Sequence, residues 1–156
     1  MRLSAQQEFG LRCLVQMARD RSSDCVRIVD IADREALSVA YVAKLLRILR
    51  KAGFVESLRG VKGGYRLSKA PEEVCVAGVL TALGGQLYTP DFCHRHSGRA
   101  RDCVHVVDCG SRAMLRGLDR LVKGYLSQFR LSDLVRPEQR VREVVRDRAK
   151  RAPRSP

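Results

Sequence analysis

Apolar residues recur at helical spacing along most of the chain, and in one short region the period changes to that of a hairpin. From Glu8 to Ala18, Leu11, Leu14, Val15 and Ala18 fall on one helical face, with Phe9, Cys13 and Met17 alongside, and predict a first helix. After Val26 to Val29, the run Asp30-Ile-Ala-Asp-Arg-Glu-Ala reads as a short second helix with Asp30 as its N-cap. Ser38 is placed to cap a third helix that stops at Gly53. On it Val42, Leu45, Leu46 and Leu49 stand at i, i+3, i+4 and i+7, a stripe that predicts burial. Phe54 to Leu58 and Tyr65 to Leu67 then read as two strands, joined by a glycine-rich turn from Arg59 to Gly64.

Past Pro71, Val76, Val79, Leu80 and Leu83 share a helical face that ends at the pair Gly84-Gly85. Periodicity then stops from Gln86 to Gly110, a length at which a loop is usually functional or disordered. It returns at Ser111, where Met114, Leu115, Leu118, Leu121, Val122, Tyr125, Leu126 and Phe129 form an apolar face over more than four turns. That face is wider than one small domain needs, so the helix is expected to dimerise; the alternative is a helix folded back on its own domain. The expected organisation is a DNA-binding unit over 1–85, a cysteine-rich loop over 86–110, a dimerisation helix and return segment over 111–135, and a basic tail over 136–156, helical at most to about Arg151.

Charge gives this pattern a partner. Lys and Arg outnumber Asp and Glu by 30 to 17, a formal charge of +13, which favours a polyanion. Between residues 41 and 66 seven Lys or Arg face one acid, and the polar face of the third helix carries Ala40, Tyr41, Ala43, Lys44, Arg47, Arg50 and Lys51. Two short helices, a hairpin, and positive charge on both the second of them and the hairpin tip describe a winged helix-turn-helix, in a chain that is mainly α with a small β-hairpin. The DNA-facing set is expected to be Ser38, Ala40, Tyr41, Lys44 and Arg47 with Arg59 and Lys62 on the wing; a merely solvated charged face is the competing reading. The glycine turn lacks the Gly-Lys-Ser/Thr ending of a nucleotide-binding P-loop. No apolar run reaches the roughly 18–20 residues that span a bilayer, and the first residues lack a signal-peptide pattern, so a cytoplasmic address is expected.

The unperiodic segment concentrates soft ligands. Three of the six cysteines and all three histidines fall within Cys93 to Cys109. In a reducing compartment such a cluster reads as metal or redox chemistry rather than disulfides. Three Cys and one of His94, His96 or His105 would make a tetrahedral zinc site, although structural zinc ligands usually come as closely spaced Cys pairs. Without a Cys-x-x-Cys motif or a second domain to form a cleft, an enzyme is not expected. Cys13 and Cys75, among apolar neighbours, are expected to be small buried hydrophobes.

Met1-Arg-Leu-Ser4, the Ser38 to Gly53 helix, the wing Leu58-Arg-Gly-Val-Lys-Gly-Gly-Tyr-Arg-Leu67, the three-cysteine loop and Leu131-Ser-Asp-Leu-Val135 together resemble the bacterial IscR/NsrR/RirA-type regulators, from residue 1 to about 135. The resemblance implies a winged-helix homodimer on a palindromic double-stranded operator, acting as a repressor. Its DNA affinity would be set by an iron-sulfur cluster, 2Fe-2S or 4Fe-4S, that senses redox state, nitric oxide or iron status. It assigns Cys93, Cys103 and Cys109 as thiolate ligands, with Arg59 in a minor groove and Tyr41, Lys44 and Arg47 along the recognition helix. Family members usually have five residues between successive cysteines; the gaps here are nine and five, and the longer one costs only about 0.5 kcal/mol more in loop closure. Where some members place a histidine as fourth ligand this chain has Arg112, so the expected fourth ligand is Glu8 of a second copy, with His94, His96 or His105 as alternatives. Ala40 and Ala43 stand where some relatives carry polar or acidic base readers; alanine can touch a thymine methyl but makes no bidentate bond, so the operator is expected to differ.

Overall fold

The computed structural model describes residues 3–20, 25–60, 63–89, 91–95 and 103–151. Helix α1 (Ala5–Arg19) is opened by a capping box in which Ser4 and Gln7 exchange hydrogen bonds. Its buried face is Gln7, Gly10, Cys13, Leu14, Met17 and Ala18, rotated slightly from the expected stripe, since Leu11 and Val15 pack at the edge of the core. Helix α2 (Ile28–Glu35) starts earlier than expected. Its N-cap is Arg27, and Asp30 sits in the first turn, where its carboxylate accepts from Arg27 Nε and Nη2 at 3.0 and 2.9 Å. The correction has a tertiary cause: Val26 exchanges both backbone hydrogen bonds with Tyr65, at 2.8 Å each, so the chain is pinned in extended form just before Arg27.

Ala36 ends α2 in the left-handed region at φ 53°, and α3 (Val39–Lys51) follows after a two-residue link. Ser38 Oγ accepts from Tyr41 N–H at 3.2 Å, the predicted cap. Gly53, at φ 77°, turns the chain out of the helix in a conformation that costs a side-chain-bearing residue strain. Val42, Leu45, Leu46 and Leu49 are all fully buried, each contributing about 1.5–3 kcal/mol relative to an exposed position.

Strands β1 (Val55–Leu58) and β2 (Gly64–Leu67) pair antiparallel in the register Val55↔Leu67, Glu56↔Arg66, Ser57↔Tyr65 and Leu58↔Gly64. Glu56 and Arg66, directly opposite, form a cross-strand ion pair. Gly64 is required by packing: a Cβ there would stand 2.7 Å from Val26 O. Helix α4 (Val76–Ala82) buries Val76, Val79 and Leu80 as predicted, with Leu83 just beyond. Cys75 is only half-buried, because it caps α4 and pairs with Arg130 in an isolated bridge; Cys13 is fully buried, as predicted.

After the short α5 (Phe92–Arg95) comes the long α6 (Gly110–Leu126), then α7 (Leu131–Leu134) and α8 (Glu138–Arg151). The main core lies among α1, α2, α3, the hairpin and Leu131 of α7; a smaller cluster joins Val76 and Leu80 to Phe129, Tyr125, Leu126, Leu134 and Val144. The basic C-terminal segment is therefore docked over this part of its length. Arg148 lies 4.7 Å from the Phe129 ring centroid and donates to Asp133 Oδ2 at 2.7 Å. The apolar side of α6 packs on α4 near its C-terminal end, through Tyr125 and Leu126, while Met114, Leu118 and Leu121 are exposed among the described residues.

Candidate DNA interface and cysteine loop

Burial of the four-residue stripe turns the opposite side of α3 outward, and Ala40, Lys44, Arg47 and Lys51 are exposed there. Ala40, Ala43, Lys44, Arg47, Ile48 and Lys51 line a shallow open groove whose floor is apolar and whose rim is cationic. No acid stands in the first turn of α3, so the positive end of its dipole is uncompensated by its own side chains. Tyr41 is half-buried, its ring edge-to-face on Phe9 of α1 at 6.2 Å; it joins α3 to α1 as well as bordering the outer face. Ser38 spends its hydroxyl on the helix cap. Arg50 donates to Ser57 Oγ at 3.2 Å and ties α3 to the wing, while Arg59 is exposed on it. Lys62 and His96 lie outside the described residues.

Behind this face, α1 and α2 are joined by a carboxylate. Glu35, its side chain 3% exposed, accepts from Arg12 Nε at 2.5 Å and from Gln16 Nε2 at 2.7 Å. Arg12 also reaches Glu8 Oε1 at 3.7 Å, so the exposed Glu8 already has a cationic neighbour on its own helix. Burial, with Glu35 as a lesser cause, pushes the Cys13 thiol up to about 12, which makes it an inert core residue.

The three loop cysteines are free thiols, each half-buried, and each has its own setting. Cys93 sits on α5 with its Sγ 3.7 Å from the Tyr88 hydroxyl. Cys109 is the N-cap of α6, its Sγ accepting from Arg112 N–H at 3.4 Å. Arg112 further donates to the carbonyls of Val106 and Val107 at 2.9 and 3.5 Å, folding the chain after Cys103 onto the first turn of α6. Arg112, at the position where some family members carry a histidine, is thus a clasp for the loop, a role that spacing alone does not disclose. Among the described residues no three Cys, His, Asp or Glu side chains lie together so as to hold a metal ion. His94 and His105 are exposed. By donor chemistry the loop nevertheless suits an iron-sulfur cluster: three unpaired thiols, none consumed in a disulfide.

A winged helix-turn-helix with a cationic, uncrowded recognition helix defines a DNA-binding transcription regulator. Residues 3–137 match the Rrf2 family, described as an iron-dependent transcriptional regulator, and the chain belongs to that family. It is 34% identical over 136 residues to the protein rrf2 of Nitratidesulfovibrio vulgaris, covering 87% of this chain and 88% of that one. It is 31% identical over 144 residues to the transcriptional regulator IscR of Photobacterium profundum, covering 92% and 80%. Its fold is similar to that of CymR, the global cysteine regulator of B. subtilis, with a TM-score of 0.66 at 24% identity over 86% of this chain and 96% of that one. These relatives are transcription regulators, not enzymes. Among the described residues no helix is long and apolar enough to cross a membrane.

Proposed function

We propose that the protein is a homodimeric, cytoplasmic repressor that binds a palindromic operator and releases it according to the state of an iron-sulfur cluster held by Cys93, Cys103 and Cys109. The observation that carries this reading is the set of three free, half-buried thiols in a segment fastened at both sides to α6, the helix whose exposed Met114, Leu118 and Leu121 would meet a second copy. When bound, the cluster would supply a centre that reacts with oxidants and nitric oxide. The protein's part is to present three sulfurs and to link them mechanically to α6. Glu8 of the second copy would be the fourth ligand, with His94, His96 or His105 as alternatives; Arg12, 3.7 Å from Glu8 on the same helix, would compete for that carboxylate and favour a labile bond. Lys44 and Arg47 engage the major groove, with Tyr41 along the helix, and Arg59 and Lys62 follow the wing into the flanking minor groove.

Anaerobic purification with a visible spectrum and iron and sulfide counts tests the reading. Brown protein with iron and sulfide in comparable amounts is expected. Protein that stays colourless after reconstitution refutes it, and stoichiometric zinc without charge-transfer absorption would instead favour a zinc site, with His94, His96 or His105 as its nitrogen ligand.

A further inference from the structure

One polar cluster, buried at Asp119 and Tyr88, is not explained by DNA contact or by the thiols alone. It is built on α6 by Arg116, Asp119 and Lys123 and on the loop by Leu87, Tyr88 and Cys93. Asp119 is 8% exposed on a helix whose partner faces are apolar, and a buried carboxylate is costly unless fully bonded. Its partners are Leu87 N–H, which donates to it at 3.1 Å, and Lys123 Nζ at 2.6 Å, with the Tyr88 backbone adding to their effect. Burial works against its ionisation, but these donors outweigh it and hold the carboxyl below the usual value. The backbone at Leu87, next to Tyr88, is thereby riveted to α6. Above it the Tyr88 ring, itself 8% exposed, lies under the Arg116 guanidinium at 5.0 Å and beside the Phe92 ring at 5.4 Å. The tyrosine hydroxyl emerges against Cys93 Sγ.

We infer that Tyr88 is a positioning residue for Cys93: its ring shields the thiol and fixes it relative to α6, and its hydroxyl donates to the sulfur once that sulfur is a thiolate ligand. A hydrogen bond to a ligating sulfur draws electron density from it and raises the reduction potential of the centre it holds. The same bond makes any displacement of Cys93 felt by α6 through a short, rigid path from Tyr88 to Asp119. The electronic half of this inference rests on the iron-sulfur reading; the positional half does not.

Two measurements keep the halves apart. In metal-free protein, alkylation of Cys93 by iodoacetamide is followed by peptide mass spectrometry, with Cys109 of the same chain as internal reference. Tyr88→Ala is expected to raise the Cys93:Cys109 rate ratio at least five-fold, while Tyr88→Phe, which keeps the ring, leaves it within two-fold. If Tyr88→Ala does not fold, Asp119→Asn, which loosens the rivet, is expected to raise the ratio at least three-fold. A ratio equal to wild type in the folded variant overturns the positional role. In reconstituted protein, Tyr88→Phe is expected to shift the midpoint potential to a more negative value with the absorption spectrum otherwise retained; an unshifted potential overturns the hydrogen bond. Wild-type protein that takes up no iron overturns the iron-sulfur reading and the electronic half with it, while the alkylation ratio still decides the positional one.

Discussion

Replacing Arg12 by alanine probes the joint between the helix that carries Glu8 and the first helix of the DNA-binding motif. The Glu35 side chain is 3% exposed and that of Arg12 48%, so the substitution leaves a buried carboxylate with Gln16 as its remaining donor. Removing one partner of a fully buried pair costs about 3–5 kcal/mol. Water can follow the departed guanidinium on its half-open side, which reduces the expected loss to about 1.5–3 kcal/mol, the range of a charged hydrogen bond. In the Glu35→Gln background the charge is gone and Gln16 can turn its amide to accept, so Arg12→Ala should cost less than about 1 kcal/mol there. Urea unfolding of the four proteins at one fixed protomer concentration gives the coupling energy, expected at about 1 kcal/mol or more. A coupling below about 0.3 kcal/mol would mean that Arg12 and Glu35 are neighbours without being partners, and that α1 and α2 are held by apolar packing and by the other polar links, Gln16 to Glu35 and Arg34 to Asp20.

Leu46→Ala empties a fully buried position of α3 and should destabilise the chain by about 2–5 kcal/mol, read as a fall in urea midpoint without a change in slope. Ala36→Gly relieves a left-handed φ of 53° at the end of α2 and should stabilise by about 0.5–1 kcal/mol, seen as a higher Tm; a lower Tm would refute strain at that residue. Burial disfavours ionised Asp133, yet Arg130 N–H and the Arg148 guanidinium overcome it and hold the carboxyl below its ordinary value of 3.8. Its stabilising share is therefore present above that value and lost as pH falls through the lower folded one. Amide exchange should show α8 protected down to that acid range in the wild type, and unprotected already at neutral pH in Arg148→Ala. On DNA, Lys44→Ala and Arg59→Ala should each weaken binding and lower the slope of log affinity against log salt by about one; salt-insensitive binding would show that the cationic face of α3 had been misread.

Local rules made much of the chain legible from sequence. Ser38, the stripe Val42, Leu45, Leu46 and Leu49, and Gly53 define α3 within thirteen helical residues, because cap, period and stop each depend on neighbours no more than one turn away. The same holds for the hairpin and for the period of α6, so the helix-turn-helix, the hairpin and the apolar period of the long helix followed from residue order. The concentration of thiols between Cys93 and Cys109 was plain from residue type alone. Tertiary structure decided what depends on contacts between distant segments. It moved the start of α2 from Asp30 to Ile28, because Tyr65 pins Val26, and it left Cys75 half-exposed at a helix cap. It docked α8 through Arg148, and made Arg112 a clasp rather than the gap left by a missing ligand. Above all it set Asp119 beneath the loop at Leu87, 32 positions away, and so placed Tyr88 against Cys93, a meeting that neither period nor motif encodes. Short-range preference is written residue by residue, whereas a buried carboxylate or a shielded thiol has meaning only once the chain has brought its partners to it.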